Sequence, residues 1–99
     1  MILTTTNSVE GKKIQSYLGI VNGVSVNTRK SSFSFKMEKY YDALEASVNE
    51  VKDLAFQNLT ENALKLKANA VVGIKVDVET FPGSTLILVS ITGTAVIVF

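Results

Sequence analysis

Three charged residues alternate with apolar ones in the segment ANAVVGIKVDVET, residues 68–80. Lys75, Asp77 and Glu79 share one face of a predicted strand, because successive side chains of a strand point to opposite faces. Carboxylates bind hard cations such as calcium or magnesium, and an oligomer could bring several copies together. Asp77 and Glu79 are therefore the candidate metal ligands. The alternative is that the three charges form an ordinary solvated face.

Histidine, cysteine and tryptophan are absent from the 99 residues. Soft heavy metals prefer thiolate and imidazole ligands, so one chain lacks their usual donors. Ser–His and Cys–His pairs are also impossible, and the commonest general base is missing. We therefore expect no catalytic residue, no cofactor and no enzymatic activity. A divalent hard cation is the kind of metal that the remaining donors suit.

A basic segment with interleaved aromatic residues runs from Arg29 to Lys39, and it contains Lys30, Phe33, Phe35 and Lys36. Such segments can bind single-stranded nucleic acid, and a ring would multiply a weak patch. The alternative is a solvated loop whose phenylalanines contact the sheet or the next subunit. The net charge is only +1 with a single arginine, so we do not expect a nucleic-acid partner.

The apolar periodicity predicts one domain, residues 1–99, of the α+β class. Its ββαββ subunit would pack a largely antiparallel sheet on one long helix. The predicted strands are Ile2–Thr6, Ile14–Val26, the segment quoted above and Leu86–Val98, and the predicted helix is Met37–Lys67. We expect the helix to end at Ala68-Asn69, with Asn69 as the left-handed residue.

Two further expectations concern which side chains face the core. Gly19 and Gly23 lie opposite the apolar residues of the second strand, which indicates a bulge or a close backbone neighbour. The third strand is expected to place four residues on one core face against the helix: Val72, Ile74, Val76 and Val78.

The last strand is apolar on both faces, in a chain that is 46% hydrophobic and 19% charged. Strands of this kind are normally covered on both faces, and one helix covers only one. We therefore expect a homo-oligomer, with these interface residues: Ile87, Val89, Ile91 and Ile97. The N-terminus is not typical of a secretory signal, and the C-terminal run is too short to span a bilayer as a helix. We expect a cytoplasmic protein with no membrane partner.

Four stretches carry a family resemblance through their order and spacing. They are E-G-x-x-I at Glu10–Ile14, Y-L-G-I-V-x-G at Tyr17–Gly23, A-x-x-L-x-A-N-A-V-V-G-I at Ala63–Ile74 and S-I-T-G-T-A-V at Ser90–Val96. Together they resemble the YbjQ-like family, small bacterial and archaeal proteins that carry the label "putative heavy-metal-binding".

The resemblance implies a dodecin- or YbjQ-like oligomeric assembly of ββαββ subunits, typically a pentameric ring. It implies no established catalytic activity. The chain departs from the family pattern at Asn27–Lys36, where many relatives carry a glycine-glycine-arginine motif and this chain has no glycine. A function housed in that loop is therefore not carried over.

Overall fold

The structure is a computed structural model that describes residues 1–27, 37–81, 83 and 86–99, with side chains of the helix described from residue 48 onward. The described elements are β1 (Ile2–Leu3), β2 (Ile14–Asn27), α1 (Met37–Lys65), β3 (Ala70–Thr80) and β4 (Ile87–Val98). The predicted α+β class and ββαββ order are confirmed. The first strand is shorter than predicted, and the other boundaries differ by one or two residues.

The strands form a mixed four-stranded sheet in the order β1-β3-β4-β2. The central strand β4 pairs antiparallel with both β2 and β3, whereas β1 pairs parallel with β3. The long strand β2 forms one edge of the sheet. At the other edge, β1 pairs only with Ala70 and Val71, at the start of β3.

The helix covers one face of β2 and β4 with a stripe of residues four apart: Val51, Ala55, Leu59 and Ala63, all buried. Small residues allow a close approach, and a Cβ placed on Gly23 would lie 2.0 Å from the carbonyl oxygen of Ala55. The predicted close backbone neighbour at Gly23 is therefore confirmed. Fully burying one side chain such as Leu59 contributes about 1.5–3 kcal/mol.

A second, smaller core lies at one end of the opposite face. It contains Ala70, Val72, Val96 and Val98, with Ile2, Val9 and Ile14 packed against them. The N-terminal residues therefore cover part of the face that the helix leaves open.

A bulge at Gly73 changes which residues of β3 face the helix. Gly73 has φ 61°, and the register with β4 shifts between Val72 and Lys75. Val72 consequently lies in the second core, whereas Ile74 lies in the helix-side core. The prediction of one core face through Val72, Ile74, Val76 and Val78 is wrong for this reason.

Val76 and Val78 lie on the helix side, since they pair with the helix-facing residues Ile91 and Val89. They nevertheless remain 40% and 46% exposed. The helix lies over β2 and β4, so among the described residues this part of β3 has no cover.

The helix ends in a Schellman motif rather than at Asn69. Lys67 has φ 64°, its N–H donates to Leu64 O at 2.9 Å, and the Ala68 N–H donates to Ala63 O at 3.1 Å. These bonds satisfy carbonyls that the helix end would otherwise leave unpaired. The prediction of Asn69 as the left-handed residue is therefore wrong by two positions.

The chain is elongated. Its radius of gyration is 16.4 Å and its principal extents are 54, 23 and 19 Å, whereas a compact domain of this length has a radius of about 13 Å. An elongated shape exposes more surface for its volume, which makes complete burial of an apolar sheet face harder.

Candidate functional site

The helix-free face of β2 carries a row of exposed apolar side chains. We define the β2 apolar row as Tyr17, Ile20, Val24 and Val26, which are 72%, 82%, 46% and 43% exposed. A register shift between Tyr17 and Gly19, where Gly19 has φ 129°, marks a bulge. The predicted bulge in this strand is thereby confirmed.

The bulge determines which side of β2 the helix covers. Beyond it, Val21 and Gly23 are buried on the helix side. Ile20, Val24 and Val26 alternate with those two residues and therefore point away from the helix. Tyr17 lies on the same helix-free face, because it pairs with Val96 of the second core.

The strand beside the β2 apolar row places polar residues next to the centre of the row. Ile20 pairs with Thr94 and Val24 with Ser90, whereas Tyr17 and Val26, at the two ends of the row, have the apolar partners Val96 and Leu88. Several large apolar side chains exposed together on one surface mark an interaction site more often than scattered single ones do. The β2 apolar row is therefore the candidate functional surface.

The candidate metal ligands lie on the same face of the sheet, across β4. Asp77 pairs with Ser90 and Glu79 with Leu88, and both carboxylates are exposed. The prediction that they share a strand face with Lys75 is confirmed. In the part of the chain that the structure describes, no three metal-binding side chains come together, so one subunit does not complete a carboxylate site there.

The donor set does not fit a soft heavy metal. The sequence has no cysteine or histidine, and its only sulfur atoms belong to two methionines. Thiolate and imidazole are the ligands that such metals prefer. One chain therefore supplies neither of the two usual ligand types.

The predicted interface residues of β4 lie in a different environment from the one expected. Ile87, Val89 and Ile91 are at most 1% exposed and belong to the helix-side core of their own subunit, and Ile97 is half-buried. The first three therefore have no surface left for a neighbour. The apolar alternation in β4 reflects intramolecular packing, because the helix covers one face of the strand and the N-terminal residues cover one end of the other.

The exposed surface that the sequence analysis missed lies on β2 instead. Its signal was present in the even-numbered apolar residues Ile20, Val24 and Val26, opposite Gly23. A glycine against the helix indicates that the helix lies on the glycine side, and therefore that the larger side chains point away from it.

The outer edge of β2 is partly occupied by the helix. Asn58 Nδ2 donates to Val24 O at 3.1 Å, and Asn62 Nδ2 donates to Asn22 O at 2.8 Å. Alternate carbonyls of an edge strand lack a strand partner, and these two amides bind two of them. Occupied edges resist pairing with further strands.

The basic segment Arg29–Lys39 lies outside the described side chains, so its two interpretations stay predictions. Within the ranges that the structure describes, no helix combines the length and the apolar character needed to cross a membrane.

The fold resembles that of a solved protein of unknown function, a member of the DUF74 family from Pediococcus pentosaceus ATCC 25745. The two chains share 20% identity, and the match covers 100% of this chain and 98% of the other with a TM-score of 0.67. A family model described as "Putative heavy-metal-binding" matches residues 1–99. The family resemblance carried by the sequence motifs is confirmed, and this chain belongs to the YbjQ_1 family.

Proposed function

We propose that this protein is a non-enzymatic structural or binding protein whose subunits assemble into a homo-oligomeric ring. The observation that carries the proposal is the β2 apolar row, above all Ile20, which is 82% exposed in one subunit. In the assembly, a neighbouring subunit covers this row. The ring size that we propose is the pentamer, on the strength of the family resemblance.

The energetics support burial of the row between subunits. Burying one large aliphatic side chain fully contributes about 1.5–3 kcal/mol. Association costs about 4–15 kcal/mol in lost rotational and translational freedom. The free energy gained by burying the four side chains of the row, together with the surface that they contact, is of the right order to offset that cost. In a ring each subunit makes two such contacts, one with each neighbour.

The chemistry of the chain supports a role without catalysis. The sequence has no histidine or cysteine, and the family description names binding and no reaction. The proposal includes no soft heavy-metal site, because the donor set does not fit one.

Ile20→Asp is the variant that tests the ring. Ile20 is already exposed in one subunit, so aspartate leaves the fold of that subunit nearly unchanged while placing a charge in the proposed contact. We expect native mass spectrometry and light scattering to show a smaller species than wild type. Ile91→Asp is unsuitable for this purpose, because Ile91 lies in the core of its own subunit.

Leu64→Asp is the matched control, since Leu64 is 56% exposed on the helix and does not belong to the β2 apolar row. This variant should retain the wild-type mass. A wild-type protein that is monomeric in dilute solution, or an Ile20→Asp protein with unchanged mass, would show that the proposal is wrong.

A further inference from the structure

In the part of the chain that the structure describes, the outer edge of β3 is open over the second half of the strand. β1 pairs with Ala70 and Val71, and the backbone of the next N-terminal residues extends this contact: Gly73 N donates to Thr6 O at 2.7 Å, and Ile74 N donates to Thr4 O at 3.1 Å. Among the described residues, nothing pairs with the outer side of β3 from Lys75 to Thr80.

The opposite edge of the sheet is less available, because Asn58 and Asn62 occupy two carbonyls of β2. An edge-to-edge contact between two copies would therefore use the β3 edge of both. Contact between identical surfaces is isologous and follows a two-fold axis, and two copies of one strand related in this way run antiparallel.

The charges of the open edge are complementary to those of a second copy. When the two-fold axis passes through Asp77, Lys75 lies opposite Glu79 of the second copy, and the reverse pair forms on the other side of the axis. Opposite charges in directly facing positions stabilise paired strands. On the helix side, the same register sets the 40%-exposed Val76 opposite the 46%-exposed Val78 of the second copy.

One feature of this register opposes the contact. Asp77 faces the same residue of the second copy at the axis, and like charges in facing positions destabilise a pair of strands. The register therefore predicts that some charge changes in this segment weaken the dimer and others strengthen it. A nonspecific contact predicts no such difference.

We propose that residues 75–79 of β3 pair antiparallel with the same segment of a second copy of this chain, centred on Asp77. This two-fold contact is separate from the ring contact through the β2 apolar row. A ring that also makes two-fold contacts has dihedral symmetry, so the two contacts together join rings in pairs.

The test uses charge reversal in the Ile20→Asp background, which removes the ring contact and isolates the two-fold one. Sedimentation equilibrium at low salt measures the monomer–dimer constant of each variant. We expect Lys75→Glu and Glu79→Lys each to weaken the dimer about tenfold, since each turns two attractive pairs into repulsive ones. The double variant Lys75→Glu/Glu79→Lys should restore the dimer, and Asp77→Asn should strengthen it.

The outcomes separate the two proposals. If Ile20→Asp keeps the wild-type mass, the ring proposal fails, and the charge reversals can still be measured in the intact assembly. The two-fold contact is overturned if Ile20→Asp is monomeric at every concentration, or if the double reversal fails to restore what the single reversals remove. Circular dichroism confirms that all variants are folded, and the reversed residues are exposed ones that the fold does not require.

Discussion

The side-chain amide of Asn69 forms two hydrogen bonds with the backbone of Val98. Asn69 Nδ2 donates to Val98 O, and Val98 N donates to Asn69 Oδ1, both at 2.8 Å. The Asn69 backbone N–H donates to Val96 O at 3.2 Å. Asn69 therefore extends the ladder between β3 and β4 with its side chain, at the point where the chain leaves the helix.

Asn69→Ala should lower the free energy of unfolding by about 2–3 kcal/mol, because it leaves a partly buried N–H and C=O of Val98 without partners. Asn69→Asp keeps the acceptor and loses the donor, so a smaller loss is expected. Urea denaturation at fixed protein concentration measures both. Asn49→Ala, at an exposed helix position, is the control and should change stability by less than about 0.5 kcal/mol.

Gly23→Ala should destabilise the subunit by about 3 kcal/mol, because the added methyl group would overlap the helix backbone. Its Cβ would lie 2.0 Å from Ala55 O and 2.6 Å from Leu59 N, so helix and sheet must separate. Thermal and urea unfolding measure the loss. Ser25→Ala on the same strand is the control. A Gly23→Ala protein as stable as wild type would show that the helix lies farther from β2.

Lys67→Gly should stabilise the protein by about 0.5–1 kcal/mol. A left-handed conformation costs an L-residue with a side chain about 1–2 kcal/mol, and the entropy that glycine gains in the unfolded chain offsets part of that saving. The same substitution at Lys52, in the middle of the helix, should lower the free energy of unfolding by a similar amount. Changes of opposite sign in the free energy of unfolding at the two positions, measured by urea unfolding, identify the left-handed cap at Lys67. Changes of the same sign would contradict that cap.

Asn58→Ala combined with Asn62→Ala should increase aggregation more than it lowers stability. Each exposed hydrogen bond contributes about 0.5–1.5 kcal/mol, whereas the loss of both bonds exposes two carbonyls of an edge strand to other chains. Light scattering during incubation near the midpoint of unfolding measures the effect. Gln57→Ala, at the exposed position directly before Asn58, should aggregate like wild type.

We expect zinc, cadmium and nickel to bind only weakly and without a fixed stoichiometry, because the chain lacks thiolate and imidazole ligands. Isothermal titration calorimetry and metal analysis of the purified protein should show less than one tightly bound ion per chain. One tightly bound ion per chain would contradict this prediction. Calcium, magnesium and manganese should be titrated into wild type and Asp77→Asn in parallel, and heat that Asp77→Asn abolishes would identify a carboxylate site in the assembly.

Much of the fold can be predicted from local sequence patterns. The errors in that prediction have a common cause. The alternation in β4 and the steps of three and four in α1 predicted those elements closely. Strict alternation failed in β3, because Gly73 forms a bulge that places Val72 and Ile74 on opposite faces of the sheet. A single inserted residue reverses every later face of a strand, and glycine alone does not reveal whether it bulges or remains in register.

The candidate interface shows the same limit. The apolar residues on both faces of β4 predicted that a neighbouring copy of the chain covers one of those faces. The structure places the exposed apolar surface on β2 instead, because Val89 and Ile91 lie beneath the helix and Ile20 does not. Alternation shows that a face is apolar, but not which part of the same chain covers it.

The sequence by itself determined the element order, the family and the absence of thiolate and imidazole chemistry, since these depend on residue types and short-range spacing. Tertiary structure decided which apolar surfaces remain exposed and, among the described residues, which edge of the sheet is open. Those features depend on contacts between residues distant in sequence, such as Gly23 with Ala55 and Asn69 with Val98. Local periodicity carries no information about such distant contacts.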